Sequence, residues 1–247
     1  MKSLVAGCLV AAGLAAAQPA HAAELKVLAA EVVEGPVAEL AAQFEKSSGH
    51  KLKIEYGFGV AQTKRAQGGE TFDVIISPTP LIKNTEAVLA PGSVVALMRV
   101  GQGVAVKKGA AKPDVSSPDA FKATLLKAKS ITFVPTGASG GQTLKVFDKL
   151  GIAAEMKAKT NAQEPATLVA TVAKGDAELV LFLNNYLVGR PELDYVGPYP
   201  GDLQQFLPFS AGVSAKASNA EAAQALVKFL AAPAAAPVIK AKGMEPG

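Results

Sequence analysis

The chain switches repeatedly between two hydrophobic periods. Residues 25–30 form a short apolar run, residues 51–56 put Leu52, Ile54 and Tyr56 on one side, and residues 73–77 enclose the continuous run Val74-Ile75-Ile76. Such runs predict strands, the last covered on both faces. Between the first two, Val37, Leu40, Ala41 and Phe44 recur at helical spacing behind Pro36, and Gly49 supplies a stop. A Gly-rich turn at residues 57–61 then leads into a short polar helix carrying Lys64 and Arg65.

The second half repeats the alternation. Residues 94–106 read as one long extended stretch interrupted by Gly101 and Gly103. Ser117-Pro118 caps and opens a helix that turns Phe121 and Leu125 inward. Residues 131–134 predict a buried strand, and a helix from about Gly140 shows Leu144, Phe147 and Leu150 at three-residue spacing before a stop at Gly151. A strand over 157–163, a helix over 165–174 ended by Gly175, and a buried strand over 177–183 ending at Asn184 follow. After a Gly- and Pro-rich stretch, residues 211–215 read as a return strand. A helix follows with the capping-box pattern Ser218-x-x-Glu221, and another runs from Pro233 to Gly243.

This order predicts an α/β protein. The extended texture of residues 103–106 returns at 212–215, about 110 residues later, and the two stretches enclose a compact βα set. One lobe inserted into another follows: residues 23–98 with 205–247 form the first, and residues 99–204 the second.

The loop before the central helix carries the most evident chemistry. Thr136, Ser139, Gly140, Gly141 and Gln142 offer hydroxyls and backbone N–H groups with little bulk. A helix N-terminus leaves its first N–H groups unpaired and carries roughly half a positive charge, which suits an anion or carboxylate. Many such turns in α/β domains hold only water, and that alternative stands beside the ligand cradle. The loop lacks the lysine of a P-loop, and GxGxxG is missing, so a nucleotide is not expected.

Composition narrows the rest. Met1–Ala22 has the parts of a secretory signal: Lys2, an apolar run, and Ala20-His21-Ala22 before the cleavage point. Cys8 comes too early in that run for lipidation. Cleavage removes the only cysteine and one of two histidines, leaving a chain with no tryptophan and only His50. Disulfides, a Cys–His or Ser–His nucleophile and a zinc site therefore have no support, nor does any cofactor. The net charge of +4, lowered by one with Lys2, is spread without basic runs, so nucleic acid is not a predicted partner. No later segment is apolar enough to span a membrane. His50 reads as a solvated turn residue. Glu31 and Glu34 read either as ligand contacts or as a solvated loop face, and Arg65 as a clamp or an exposed charge.

Taken together, LKVLAA, QFEKSSGHKL, GGETFDVIISP, RVGQGVAVKKG and ALVKFLAAPAAAPVIKAKGMEP resemble the molybdate-binding-protein-like group of periplasmic solute-binding proteins. The resemblance covers nearly the whole mature chain. It implies the two-lobed type II fold with two crossing hinge segments. It also implies a periplasmic, monomeric protein that closes on a small anionic solute and passes it to an ABC permease. It implies serine hydroxyls after strands one and two, but those positions read Ala29-Ala30-Glu31-Val32-Val33 and Gly57-Phe58-Gly59-Val60-Ala61. A dianion short of donors would cost several kcal/mol. The expected ligand is therefore an organic anion, its carboxylate at residues 140–142 and its apolar part against Phe58 and Val60. Glu31, Phe58, Gly59, Val60, Ala61, Thr136, Ser139, Gly140, Gly141, Gln142 and Asn184 form the candidate site. Two alternatives keep the fold: a sensor that reports the solute to a membrane receptor, and an enzyme, such as a hydrolase or an isomerase, using Glu31 or Asp73. The mature N-terminus is expected at Ala23 by intact-protein mass spectrometry; an uncleaved chain acylated on Cys8 would overturn the export assignment.

Overall fold

The computed structural model describes residues 22–247, so the signal segment assigned to residues 1–22 lies, but for its last residue, outside the described residues. In chain order the elements are β1 (Glu24–Ala30), α1 (Glu34–Ser48), β2 (Lys51–Gly57), α2 (Gly59–Gln67), β3 (Val74–Pro78), α3 (Thr79–Lys83), β4 (Val95–Val100) and β5 (Gln102–Lys107). Then come α4 (Pro118–Lys127), β6 (Ile131–Phe133), α5 (Gly137–Leu150), α6 (Ala153–Lys159), β7 (Thr160–Ala162), α7 (Pro165–Lys174), β8 (Leu179–Leu183) and α8 (Asn184–Leu187). The chain closes with β9 (Leu193–Pro198), β10 (Leu207–Val213), α9 (Ala220–Ala231), α10 (Ala236–Ala241) and β11 (Glu245–Pro246).

The strands form two mixed sheets, ordered β11-β4-β10-β3-β1-β2 and β7-β6-β8-β5-β9. The chain crosses between them twice: at Gly101, between β4 and β5, and through residues 199–206, between β9 and β10. β1 is parallel to β2 and β3, while β10 is antiparallel to both β3 and β4, so β4 runs with β3. In the second sheet β6 and β8 are parallel, and β5 opposes β8 with Gln102 opposite Leu183. The carboxyl ends of β1, β3 and β4 therefore lie on the edge where the chain leaves for the second sheet, and the carboxyl end of β8 lies where it arrives. In open α/β sheets this is the edge where ligands bind.

Apolar faces fix the layers. α4 and α5 bury Phe121, Phe147 and Val146 with Val104, Phe133 and Tyr199 on one face of the second sheet. Each such side chain contributes about 1.5–3 kcal/mol by leaving water. A larger cluster joins Val33, Val37 and Leu40 with Val134, Leu183 and Leu187, so it runs through both sheets. Asp73 tethers the opposite end of the first sheet: its carboxylate accepts from the Lys26 and Ser218 amides at 2.8 and 2.7 Å.

Local differences from the sequence reading have local causes. Residues 157–163 are not one strand, because Ala153–Lys159 is helical around buried Met156 and only Thr160–Ala162 pairs. α5 begins at Gly137, not Gly140, and Leu144 is 45% exposed; Thr143, Val146 and Phe147 turn inward, at the i, i+3, i+4 spacing that a 3.6-residue period selects. α9 is capped by Asn219, which accepts from Ala222, since the Ser218 amide is held by Asp73. The return strand begins at Leu207, earlier than residue 211, and the stretch over 94–106 breaks at Gly101.

One charged cluster sits beside the first sheet. Arg65 pairs with Glu55 and Glu70, and Lys26 reaches Glu70 at 2.7 Å. The bonds from Arg65 and then Lys26 pull the Glu70 carboxyl down to about 2. A carboxylate with a depressed folded value contributes stability above its unfolded value of 4.5, and that contribution is lost as pH falls toward 2. Urea unfolding from pH 6 to pH 2.5 should show an acid limb that is shallower in Glu70→Gln; equal limbs would contradict this pairing.

Candidate ligand-binding site

The second-sheet wall is the turn from β6 into α5. Thr136, in extended geometry at the helix N-cap, makes no capping bond with its side chain, so its hydroxyl is not spent on the helix. The first turn holds no acid. Gly140 lies against the Val134 and Pro135 carbonyls, closer than any β-carbon could approach. The same position in Gly141 faces open space. Gly140 thus lets the first turn of α5 pack directly on the strand end, and Gly141 leaves the space beside the next turn open.

A buried amide network holds this turn. Gln102 is 1% exposed; its Nε2 donates to the Ser139 carbonyl at 3.1 Å and to Gln142 Oε1 at 2.9 Å. Its Oε1 accepts from the Thr143 hydroxyl at 2.6 Å, and that hydroxyl lies 3.1 Å from the Tyr199 hydroxyl. Burial pushes the Tyr199 phenol well above its ordinary value, so it stays protonated.

The first-sheet wall is different in kind. Ala30 and Gly57 end β1 and β2 side by side. Phe58 and Val60 are 68% and 52% exposed at the start of α2, and Ala61 is exposed beside them. Gly59 packs on Ser77 and Pro78, where a β-carbon would lie 2.8 Å from the proline ring. The Ser77 hydroxyl is directed at the Gly59 carbonyl at 3.3 Å, and Thr79 and Ser210 pair with each other at 2.8 Å. Those hydroxyls serve the backbone and one another. Glu31 stands exposed after β1. Tyr56, one residue before the end of β2, has a buried hydroxyl with no partner among the described residues. Burial, aided by the Glu34 charge, pushes it up to about 12.

The two edges meet where Asn185 Nδ2 donates to the Val32 carbonyl at 2.7 Å. Asn184 is turned elsewhere: its amide donates to Gly101, and its side-chain oxygen accepts from the Tyr195 hydroxyl at 2.9 Å. It lines a cavity of about 640 Å³ at the crossings with Arg99, Tyr195 and Lys240. The structure thus gathers Thr136, Ser139, Gly140, Gly141 and Gln142 at one strand end. It gathers Glu31, Phe58, Gly59, Val60 and Ala61 at the other, with Asn184 set apart from both. Gln102, Thr143, Tyr199, Asn185 and Ser77 were not singled out in the sequence. A polar residue between two glycines in an otherwise apolar run was the signal for Gln102.

Other candidates are accounted for structurally. Arg65 is held by two carboxylates, and Asp73 binds amides at the far edge of its sheet, away from the carboxyl ends. His50 stays half-exposed in the turn before β2, where it accepts from the Ala23 amide at 3.1 Å and stacks on Phe44. Among the described residues no His, Cys, Asp and Glu cluster could hold a metal.

The chain belongs to the bacterial extracellular solute-binding protein family, whose profile matches residues 25–245. It is 31% identical to an aconitate isomerase from Pseudomonas sp over 258 aligned positions, covering 100% of this chain and 97% of the relative. It is also 31% identical over 232 positions to the molybdate-binding protein ModA of Azotobacter vinelandii, covering 91% and 90%. Among solved structures, a substrate-binding domain assigned to a molybdenum ABC transporter of Clostridium difficile superposes with TM-score 0.79 at 18% identity, covering 91% of this chain and 99% of that one. The Azotobacter vinelandii periplasmic molybdate-binding protein superposes with TM-score 0.68 at 20% identity, covering 89% and 98%. The fold is thus the two-lobed one of molybdate-binding-protein-like solute-binding proteins.

The two glycines separate by test. Gly140→Ala should lose about 1–3 kcal/mol in urea unfolding, because its new carbon meets backbone. Gly141→Ala should be neutral or gain about 0.4–1 kcal/mol through the unfolded chain. Equal costs would place the helix start elsewhere.

Proposed function

We propose that this is a periplasmic solute-binding protein that captures a small organic polycarboxylate between its two lobes and delivers it to an ABC permease. The observation that carries the reading is the asymmetry of the walls. One side offers the α5 N-terminus, with Thr136, Gly141 and Gln142; the other offers exposed Phe58 and Val60, with its hydroxyls committed to other protein groups. A tetrahedral oxyanion needs donors on all sides, whereas a carbon-framed acid needs them only at its carboxylates and gains from an apolar ring elsewhere. The likeness to an aconitate isomerase over the full chain supports a tricarboxylate as the class. In this reading the lobes, residues 23–98 with 205–247 and residues 99–204, close by rotation at the crossings. Of the residues selected in the sequence, Thr136, Ser139 and Gln142 hold the carboxylate in the space left open at Gly141, Gly140 seats the helix on the strand end, and Phe58 to Ala61 cover the carbon frame.

A second reading is favoured by the same relative and by Glu31. In this reading the exposed Glu31 carboxylate takes a proton from a carbon next to a substrate carboxylate and returns it at the far end of the double bond, which isomerises the acid with no net change in composition. The two readings share one binding site and differ in turnover.

Thermal unfolding tests both. trans-Aconitate or citrate at 100 times its dissociation constant should stabilise the fold by about 2.7 kcal/mol, with molybdate, neutral sugars and amines giving less. Gly141→Asp, which places a negative charge in the open space, should abolish the shift. Stabilisation by molybdate alone would overturn the polycarboxylate. Proton NMR of trans-aconitate with the protein decides turnover: a new isomer that disappears with Glu31→Gln, while binding persists, makes the protein an enzyme.

A further inference from the structure

The polarity of the amide network has a consequence for the binding site proposed above, on which the inference rests. The Ser139 carbonyl can only accept, so the Gln102 amide must turn its NH₂ toward it. The same NH₂ meets the Gln142 side chain, which must therefore present its oxygen there, at 2.9 Å. Gln142 Nε2 is left with no partner among the described residues. From the other end, the Thr143 hydroxyl gives its proton to Gln102 Oε1 at 2.6 Å, so its contact with Tyr199 at 3.1 Å is one in which the tyrosine donates. Every bond from Tyr199 through Thr143 and Gln102 to Gln142 thus points the same way.

We propose that Gln102 is a specificity-determining positioning residue: it touches no ligand, but it fixes the Gln142 amide with its NH₂ outward, so that the site beside α5 presents donors and selects carboxylates. Without it, Gln142 is free to rotate and can present either its oxygen or its nitrogen. An oxygen facing a carboxylate repels it, so a free amide forfeits part of the affinity and most of the discrimination against neutral amides and alcohols. Gln102 is suited to this because its own backbone is clamped: Gln204 Oε1 accepts from the Gln102 amide at 2.8 Å, and Gln204 Nε2 donates to its carbonyl at 2.7 Å. The anchor of the donor site is therefore the crossing itself.

A double-mutant cycle tests it with trans-aconitate as the probe in isothermal titration calorimetry on the mature chain. Gln102→Met and Gln142→Met should each weaken binding about tenfold or more, and the double variant should bind no worse than the weaker single one. Factors that multiply, or a Gln102→Met that binds like the parent, would overturn the inference. A ligand-free measurement stands beside it: in nitrogen-15 spectra the Gln102 side-chain NH₂ should exchange slowly and that of Gln142 rapidly. The reverse order would overturn the assignment even if Gln102→Met does not fold. If the parent binds no trans-aconitate, the polycarboxylate reading falls, and the exchange order alone decides the orientation.

Discussion

The reciprocal amide pair between Gln102 and Gln204 is the interaction on which the rest of the site depends. It ties the chain's first crossing to its second, and, through the Gln102 side chain, both crossings to the start of α5. It also accounts for the run Gly101-Gln102-Gly103. A β-carbon at Gly101 would lie 2.8 Å from the Gln204 side chain, and one at Gly103 would collide with the Asn184 side-chain oxygen and come within 2.9 Å of the Gly197 carbonyl. Gly101 leaves room for the Gln204 carboxamide, and Gly103 for the Asn184 side chain and the β9 backbone. The crossing is narrow, hydrogen-bonded and buried, while the elements it joins are bulky and apolar.

In the proposed site, electrostatics divides the cleft. The second lobe contributes amides, a helix dipole and one free carboxamide nitrogen, none of which needs a counter-charge within the protein. The first contributes an aromatic ring and a valine at its rim, and Arg65 is held between Glu55 and Glu70. On the proposed reading, affinity for an anion comes from fixed dipoles, which lose little on closure because they are already oriented. The exposed Glu31 works against an anion placed beside it. It either stays solvated at the mouth or meets a carbon of the ligand, the arrangement that an isomerase requires.

The α/β order and most helix ends were legible in the chain, because they rest on short-range physics. Gly49, Gly151 and Gly175 all adopt positive φ at helix ends, and Ser117 caps α4 as its position suggested. The inward face of α5 was misread at Leu144, since a three-residue spacing fits two phases of a helix almost equally well. What the sequence hid is long-range. Gln102 meets Gln142 forty positions on and Gln204 a hundred and two positions on, and no local pattern announces those partners. Asn184 and Asn185 are neighbours in sequence, yet one faces the crossing cavity and the other bonds the opposite lobe, a split that only the turn into α8 decides.

The central claim is that the cleft holds an organic polycarboxylate by donors on one lobe and apolar cover on the other. Native mass spectrometry of freshly exported protein, never exposed to denaturant, tests it most directly. The account predicts a retained mass that matches an organic acid with two or three carboxylates, and that is absent from Gly141→Asp prepared in the same way. A retained molybdate or a neutral sugar, or the same mass on both proteins, would contradict it.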